Sequence, residues 1–162
     1  MGKIVITYPE FDWTAREIVS DVSYLLSLRG INVYVPSKNY PRIFSEWKEK
    51  VEPKLKSADS FLFVAHDVDR IDPNTLWELK VLSQNQIPGF LILPRIIQEH
   101  KEIKSDGIDI FKYAGISDLK KALQFALSKL EKTEIQEKSR NLVLLLVSVI
   151  SLLMLIVSPR PE

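Results

Sequence analysis

The sequence contains no cysteine and only two histidines, and these shortages exclude several kinds of site. Without cysteine there can be no disulfide, no thiolate nucleophile and no cysteine-based metal site. The two histidines, His66 and His100, have a spacing that matches no metal-binding motif. We therefore expect neither a zinc site nor another metal centre.

Charge of one sign is also not in excess. The 22 lysine and arginine residues nearly balance the 21 aspartate and glutamate residues, so the formal net charge is +1. Proteins that bind a nucleic-acid backbone carry a basic surface, because their affinity comes largely from neutralising phosphates. We therefore do not expect a nucleic acid among the partners of this chain.

Apolar segments of two kinds alternate along residues 1–131 and indicate an α/β protein. Short β-branched or aliphatic runs predict strands, and apolar residues at helical spacing predict helices, the first of them capped by Asp12 or Thr14. Strands are predicted over 3–8, 31–35, 61–65, 90–93 and 108–111, and helices over about 14–28, 44–56, 73–85, 96–102 and 118–130. This alternation predicts a flavodoxin-like, doubly wound, five-stranded parallel sheet.

Residues 60–93 form the segment around which the rest of the chain is arranged. The apolar run 61–65 is typical of a strand that is buried on both faces, and a polar loop with three aspartates follows it. Asp72 is a good N-cap and Pro73 suits the first helical position, so a helix is expected to begin there. The strand at 90–93 then completes a βαβ unit, whose helix packs on one face of a parallel sheet.

Glu78 is the most informative residue of that unit. Its helical neighbours three and four positions away are Asn74, Thr75, Val81 and Leu82, and none of them is basic. No local ion pair therefore accounts for the carboxylate. It lies within two turns of the strand edge at which open α/β sheets bind their ligands, so it is a candidate catalytic residue. The alternative is an ordinary glutamate on a helix surface.

A long uncharged segment near the C-terminus predicts a membrane anchor. Residues 142–157 contain no charged residue and only two serines. As a helix this segment would span roughly 25 Å, which is close to the thickness of the hydrocarbon core of a bilayer. The alternative is a buried C-terminal helix. The basic residues before the segment favour a cytoplasmic N-terminal domain, and the N-terminus shows no signal-peptide pattern.

These patterns divide the chain into four parts. We expect an α/β domain over 1–131, a charged connector over 132–141, a single-pass transmembrane anchor over 142–158 and a short tail over 159–162. The lipid bilayer is thus an expected partner through residues 142–158, and the protein is expected at a membrane with its domain in the cytoplasm.

Several short motifs, taken in order along about residues 1–130, resemble those of TIR (Toll/interleukin-1 receptor-like) domains. They are the strand Ile4-Val5-Ile6-Thr7-Tyr8 followed by Asp12, the passage 25–35, the helix 47–55 with Ser57-Ala58-Asp59, the signature Trp77-Glu78-Leu79 and the strand 87–93. The resemblance implies the TIR-like form of the sheet and self-association through the domain.

In TIR domains that hydrolyse NAD, the glutamate of the tryptophan signature is catalytic, and the match falls on Glu78. The resemblance therefore implies cleavage of the nicotinamide–ribose bond, with NAD or a related nucleotide as substrate and no separate cofactor. A carboxylate near C1′ would stabilise the oxocarbenium-like species or act as the nucleophile. Trp77 or Tyr40 would stack on a base, with simple packing as the alternative. The residues expected to bind substrate are Tyr8, Pro9, Glu10, Tyr40, Asp72 and Trp77.

The acidic loop before the tryptophan departs from the TIR pattern, as does Thr7, which stands where serine is usual. The loop instead resembles the "D-x-x-x-D-x-G-T-x-x-E-x-G" segment of nucleoside 2-deoxyribosyltransferases, in which the glutamate is a nucleophile. Asn74 and Lys80 replace the two glycines of that segment. The residues that loosely fit its outline are Asp69, Asp72, Thr75 and Glu78, and Tyr8-Pro9-Glu10-Phe11 resembles the "P-x-F" of the first strand.

Three functions follow from these resemblances. The first is a membrane-anchored, NAD-consuming TIR enzyme that serves as a defence or signalling effector. The second is a TIR scaffold without catalysis, which serves only self-association and signalling. The third is an enzyme of the deoxyribosyltransferase type. Both enzyme hypotheses place Glu78 against an anomeric carbon.

Overall fold

A computed structural model describes residues 3–36, 38, 44–98, 103 and 106–132 of the chain. Strands and helices alternate along these residues. The strands are β1 (Lys3–Thr7), β2 (Asn32–Tyr34), β3 (Ser60–Val64), β4 (Gly89–Pro94) and β5 (Ile108–Tyr113), and the helices are α1 (Trp13–Leu28), α2 (Phe44–Lys56), α3 (Pro73–Gln84) and α4 (Ile116–Lys132).

The five strands form one parallel sheet in the order β2-β1-β3-β4-β5. This is the flavodoxin-like strand order, so the predicted fold is confirmed. The chain leaves β1 towards one edge of the sheet to form β2 and then returns to the other side of β1 to form β3. A crevice is therefore expected at the carboxyl ends of β1 and β3, where the connections that follow these two strands leave to opposite faces of the sheet, which is the usual ligand site of such sheets.

Helices cover both faces of the sheet. The inward sides of α1 and α4 pack on one face and those of α2 and α3 on the other, with separate apolar clusters in each layer. Strand β3 is central, and its residues 61–64 are fully buried, which explains its unbroken apolar sequence. The six residues of α4 that periodicity assigned to its inner face are all buried, namely Leu119, Ala122, Leu123, Ala126, Leu127 and Leu130.

Aspartates begin two of the helices and thereby fix the loops at the carboxyl edge of the sheet. The Asp12 side chain accepts a hydrogen bond from the backbone N–H of Ala15, which caps α1. The Asp72 side chain accepts from the N–H groups of Asn74 and Thr75, with Pro73 at the first helical position of α3. Both caps agree with the sequence prediction.

The region after β4 differs from the predicted helix over 96–102. Residues 95 and 96 form a turn in which the Ile97 N–H donates to the Pro94 carbonyl over 3.1 Å. Residues 99–102 lie outside the described residues. Strand β5 is two residues longer than predicted and lies at the sheet edge, as expected.

The predicted transmembrane anchor over 142–158 and most of the charged connector also lie outside the described residues. Among the helices that the structure describes, none combines the length and the apolar character needed to cross a bilayer. The anchor therefore stays a prediction.

Candidate active site

Glu78 lies in the second turn of α3 and is completely buried, with an exposed fraction of 0%. The helix points its N-terminal turns at the carboxyl ends of β1 and β3, because Asp72 caps it directly after the loop that leaves β3. The alternative of an ordinary surface glutamate is therefore wrong. A buried carboxylate needs partners, since an isolated charge in an apolar interior is strongly disfavoured.

Two residues from other elements supply these partners. Thr7, the last residue of β1, donates its hydroxyl to Glu78 Oε2 over 2.5 Å. Lys38, which follows β2, places its Nζ 3.0 Å from Oε1 and 2.9 Å from Oε2 of the same carboxylate. The carboxylate is thus held by one hydroxyl and one ammonium group.

The Lys38 ammonium has further contacts that fix its position. Its Nζ lies 3.0 Å from Thr7 Oγ1 and 3.2 Å from Thr75 Oγ1, and it sits over the ring of Tyr8 at 5.4 Å from the centroid. Thr75 Oγ1 in turn donates to the Tyr8 carbonyl over 3.3 Å. Three elements, β1, α3 and the residues after β2, therefore meet at this ammonium.

Burial dominates the ionisation of Glu78. Loss of hydration raises the pKa of the carboxyl above its usual value of 4.5, whereas Lys38 and the Thr7 hydrogen bond oppose that rise. The net result of these opposing effects is that the pKa of Glu78 is raised. Glu78 is therefore a carboxylate that water solvates poorly and whose charge depends on Lys38.

An open cleft of about 260 Å³ lies beside this network. Lys38 and Tyr8 form part of its wall, whereas Glu78 does not reach it. Lys38 therefore contacts both the buried carboxylate and the cleft. The residues that line the cleft are Tyr8, Glu10, Phe11, Asp12, Trp13, Arg16, Val35, Pro36 and Lys38.

Asp12 and Asp72 tie together the loops around the cleft through backbone contacts. Asp12 Oδ2 accepts from the N–H groups of His66 and Asp67 over 2.6 and 3.2 Å, which ties the loop after β1 to the loop after β3. Asp72 Oδ2 accepts from the Glu10 N–H over 2.7 Å. Since their oxygens already accept backbone hydrogen bonds, these carboxylates are less available to a substrate than Glu78 would be once Lys38 had moved.

Five of the six predicted substrate-binding residues divide into three groups. Tyr8 and Glu10 line the cleft, and the Pro9 carbonyl accepts from the Asp12 N–H within the same loop. Asp72 caps α3 and holds this loop rather than facing the cleft. Tyr40 lies outside the described residues.

Trp77 is placed away from the cleft, where it packs between helices. Its ring lies 5.4 Å from that of Trp47 in α2, and the Lys48 ammonium lies 4.9 Å from its centroid. The packing alternative therefore describes its position, and the expected stacking on a base does not.

Sequence reasoning missed Lys38 and Arg16. Lys38 is 40 residues from Glu78 in the chain, so no helical spacing relates them. The available signal was indirect, because a buried carboxylate without a local partner requires a distant cation. Arg16 lines the cleft and its guanidinium lies 5.4 Å from the ring centroid of Trp13.

No protein-family model and no curated protein matches the chain, so the resemblance to TIR domains gains no support. Among solved structures, the CMP N-glycosidase of Clostridium botulinum is 14% identical, with a TM-score of 0.50, over 74% of this chain and 96% of that one. A 2-deoxyribosyltransferase of Bacillus psychrosaccharolyticus is 23% identical, with a TM-score of 0.49, over 72% and 89%. A conserved protein of Enterococcus faecalis is 19% identical, with a TM-score of 0.47, over 63% and 69%. The chain is thus similar in its flavodoxin-like fold to an N-glycosidase.

Proposed function

We propose that this chain is an enzyme that cleaves or transfers the N-glycosidic bond of a nucleoside or nucleotide, with Glu78 as the nucleophile. The observation that carries the proposal is a fully buried carboxylate whose partner, Lys38, lines a cleft formed by the residues after β1 and β2 at the carboxyl edge of the sheet. The sequence resemblance to 2-deoxyribosyltransferases supports it, as does the fold shared with an N-glycosidase. This function replaces the TIR enzyme as the preferred hypothesis.

The chemistry takes two balanced steps. A Glu78 oxygen attacks C1′ of the sugar, a C1′–O bond forms and the C1′–N bond breaks. The bonding electron pair leaves with the base, which takes a proton from water. In the second step, water or a second base attacks C1′ and the ester electrons return to Glu78. The attacking group then loses its proton to solvent.

The surroundings of Glu78 suit this role better than those of Asp12 and Asp72. Among the described residues, the hydrogen-bond partners of the Glu78 carboxylate are the side chains of Thr7 and Lys38, and neither is a fixed backbone donor. A poorly hydrated carboxylate also stabilises the positive charge that develops on the sugar, because the local dielectric is low. Thr7 orients the carboxylate by donating its hydroxyl to Oε2.

The scaffold hypothesis does not explain why the chain buries the Glu78–Lys38 ion pair. A buried ion pair is weak evidence for stability, because an apolar pair of the same volume is often as stable. A protein that served only self-association would therefore gain little from Glu78 and Lys38. Self-association and the membrane anchor over 142–158 remain compatible with an enzyme, and fractionation of the full chain and of a chain shortened at residue 141 tests the anchor.

The test of the proposed function is base release. The full chain, its Glu78→Gln variant and a Glu52→Gln control are incubated with nucleosides, nucleoside monophosphates and NAD, and the free base is measured by chromatography. Glu52 is an exposed glutamate paired with Lys56 on α2, so its substitution tests loss of a carboxylate elsewhere. We expect Glu78→Gln to lose at least about a thousandfold in turnover, because the nucleophile is removed. Full activity of Glu78→Gln would contradict the assignment, and release of nicotinamide alone would identify NAD as the substrate.

A further inference from the structure

Lys38 stands between Glu78 and any substrate in the cleft. Its side chain is 9% exposed and contributes to the cleft wall, whereas the Glu78 side chain is fully buried behind it. The ammonium lies within 3.0 Å of both carboxylate oxygens. In this conformation Lys38 therefore blocks access from the cleft to the Glu78 carboxylate.

Catalysis requires this ammonium to move. A nucleophilic oxygen must approach C1′ to about 3–3.5 Å, and Lys38 occupies that space on the cleft side of Glu78. Lysine is suited to such a displacement, because its ammonium is a point charge on a flexible four-carbon stem. The displaced ammonium turns into the cleft, where an anionic group of a bound substrate would hold it more strongly than water does.

Two carboxylates, those of Asp12 and Glu10, are among the described residues that line the cleft. Asp12 is committed to three backbone N–H groups. Burial raises the pKa of Glu10, the nearby Lys38 charge opposes that rise, and the carboxylate accepts one long hydrogen bond from Asn74 over 3.4 Å. The cleft also contains a second cation, Arg16, whose described contact is the face of Trp13. Asp12 is committed to backbone donors, so a Lys38 ammonium released from Glu78 would share the cleft with the Arg16 cation and with Glu10 as the available carboxylate. This excess of positive charge favours an anionic ligand.

We propose that Lys38 determines substrate class by exchanging Glu78 for the phosphate of a nucleoside 5′-monophosphate. This inference rests on the proposed function. When the phosphate binds, the Lys38 ammonium pairs with it and leaves the Glu78 carboxylate facing C1′ with its Thr7 hydrogen bond intact. A nucleoside without a phosphate has no group to draw the ammonium away, so it meets a blocked nucleophile. No covalent bond forms or breaks in the exchange.

The kinetic test compares matched substrates on the full chain. The ratio of kcat/KM for cytidine 5′-monophosphate to that for cytidine is measured, together with the same ratio for the deoxy pair, in the wild-type chain, Lys38→Met and Lys121→Met. Lys121 is an exposed lysine of α4 and serves as the matched control. A change in the ionisation of Glu78 alters kcat/KM for both substrates by the same factor, so it cancels in the ratio.

We expect the wild-type chain to prefer the monophosphate by about a hundredfold and Lys38→Met to lose about tenfold to a hundredfold of that preference, as one charge-assisted hydrogen bond predicts. Lys121→Met should keep the preference. Equal turnover of both substrates by the wild-type chain would overturn the inference while leaving the proposed function intact. An unchanged preference in Lys38→Met would also overturn it.

A binding test separates the inference from turnover altogether. The melting temperatures of Glu78→Gln and of the double variant Glu78→Gln/Lys38→Met are measured with ribose 5-phosphate and with ribose. The double variant carries neither charge of the pair, so it is expected to fold. Ribose 5-phosphate should raise the melting temperature of the single variant but not that of the double variant, because binding to the folded state stabilises it. Equal shifts, or no shift in either variant, would overturn the role of Lys38 even if no base release had been found.

Discussion

Replacing Lys38 with methionine should cost more stability than replacing Glu78 with glutamine, although the two residues form one ion pair. The reason is their different access to water. The Glu78 side chain is fully buried, whereas the Lys38 side chain is 9% exposed and lines the cleft. After Lys38→Met, the carboxylate stays buried with only Thr7 as a partner. After Glu78→Gln, the ammonium can turn into the cleft, and the glutamine carbonyl still accepts from Thr7.

The magnitude follows from these two situations. Removing one member of a buried ion pair typically costs about 3–5 kcal/mol when the other stays buried, and we expect Lys38→Met near the lower end, about 3 kcal/mol. Loss of a partner that water can replace costs about 1 kcal/mol, which we expect for Glu78→Gln. The double variant should cost less than the sum of the two single variants, since the residues are in direct contact.

Urea unfolding at pH 7 measures these differences. With a slope of about 1–3 kcal/mol per M, a 2 kcal/mol gap between the single variants shifts the midpoint by about 1 M. Lys121→Met is the surface control and should stay within about 0.5 kcal/mol of the wild-type chain. If Glu78→Gln were as destabilising as Lys38→Met, the reasoning from unequal exposure would be refuted.

The loss in free energy of unfolding that Lys38→Met causes relative to the wild-type chain should also depend on pH. Because the folded chain raises the pKa of Glu78, it binds more protons than the unfolded chain at pH values above 4.5, and stability falls as the pH rises from there towards the folded pKa. Lys38 opposes the rise in the pKa of Glu78, so its removal widens the pH range over which stability falls. The deficit should therefore shrink towards pH 4.5, and a deficit that stayed constant would contradict the coupling.

Three further predictions concern the site and its supports. Because the nucleophile must be ionised, the acid limb of the kcat/KM profile should lie above pH 4.5. It should move to higher pH in Lys38→Met, and base release measured across pH 4–9 tests both expectations. Gly89→Ala should destabilise the sheet by about 1–3 kcal/mol, because a Cβ there would lie 2.3 Å from the ring of Phe61 and 2.5 Å from its carbonyl oxygen, and urea unfolding measures the loss. Tyr113→Phe should cost about 1 kcal/mol in the same assay, because the buried hydroxyl donates to the Ala65 carbonyl over 2.8 Å.

Most of the fold was predictable from the sequence for identifiable reasons. The run 61–65 is apolar throughout because β3 is the central strand and helices cover both of its faces. Asp12 and Asp72 marked two helix starts because their side chains accept from N–H groups that a helix leaves unpaired. The short helix predicted over 96–102 is not found in the described part of that segment, which begins in a turn.

The site was predictable only in part, because its decisive contacts are long-range. Glu78 was recognisable as a carboxylate without a local partner. Its actual partners lie 71 and 40 residues away, and no periodic pattern connects them to α3. Thr7 was noticed as a departure from serine, yet its hydroxyl keeps the function that matters here, which is donation to Oε2. Trp77 was ambiguous because stacking and packing require the same aromatic residue.

The strand order explains why these residues meet. Thr7 ends β1, Lys38 follows β2 and Glu78 belongs to the helix that follows β3, and β1 lies between β2 and β3 in the sheet. The carboxyl ends of three neighbouring strands therefore deliver a hydroxyl, an ammonium and a carboxylate to one point. An apolar pair in place of Lys38 and Glu78 is expected to be at least as stable, since it avoids the cost of burying charge. A Lys38→Met/Glu78→Leu chain that is as stable as the wild-type chain yet releases no base would therefore show that the pair serves chemistry rather than folding.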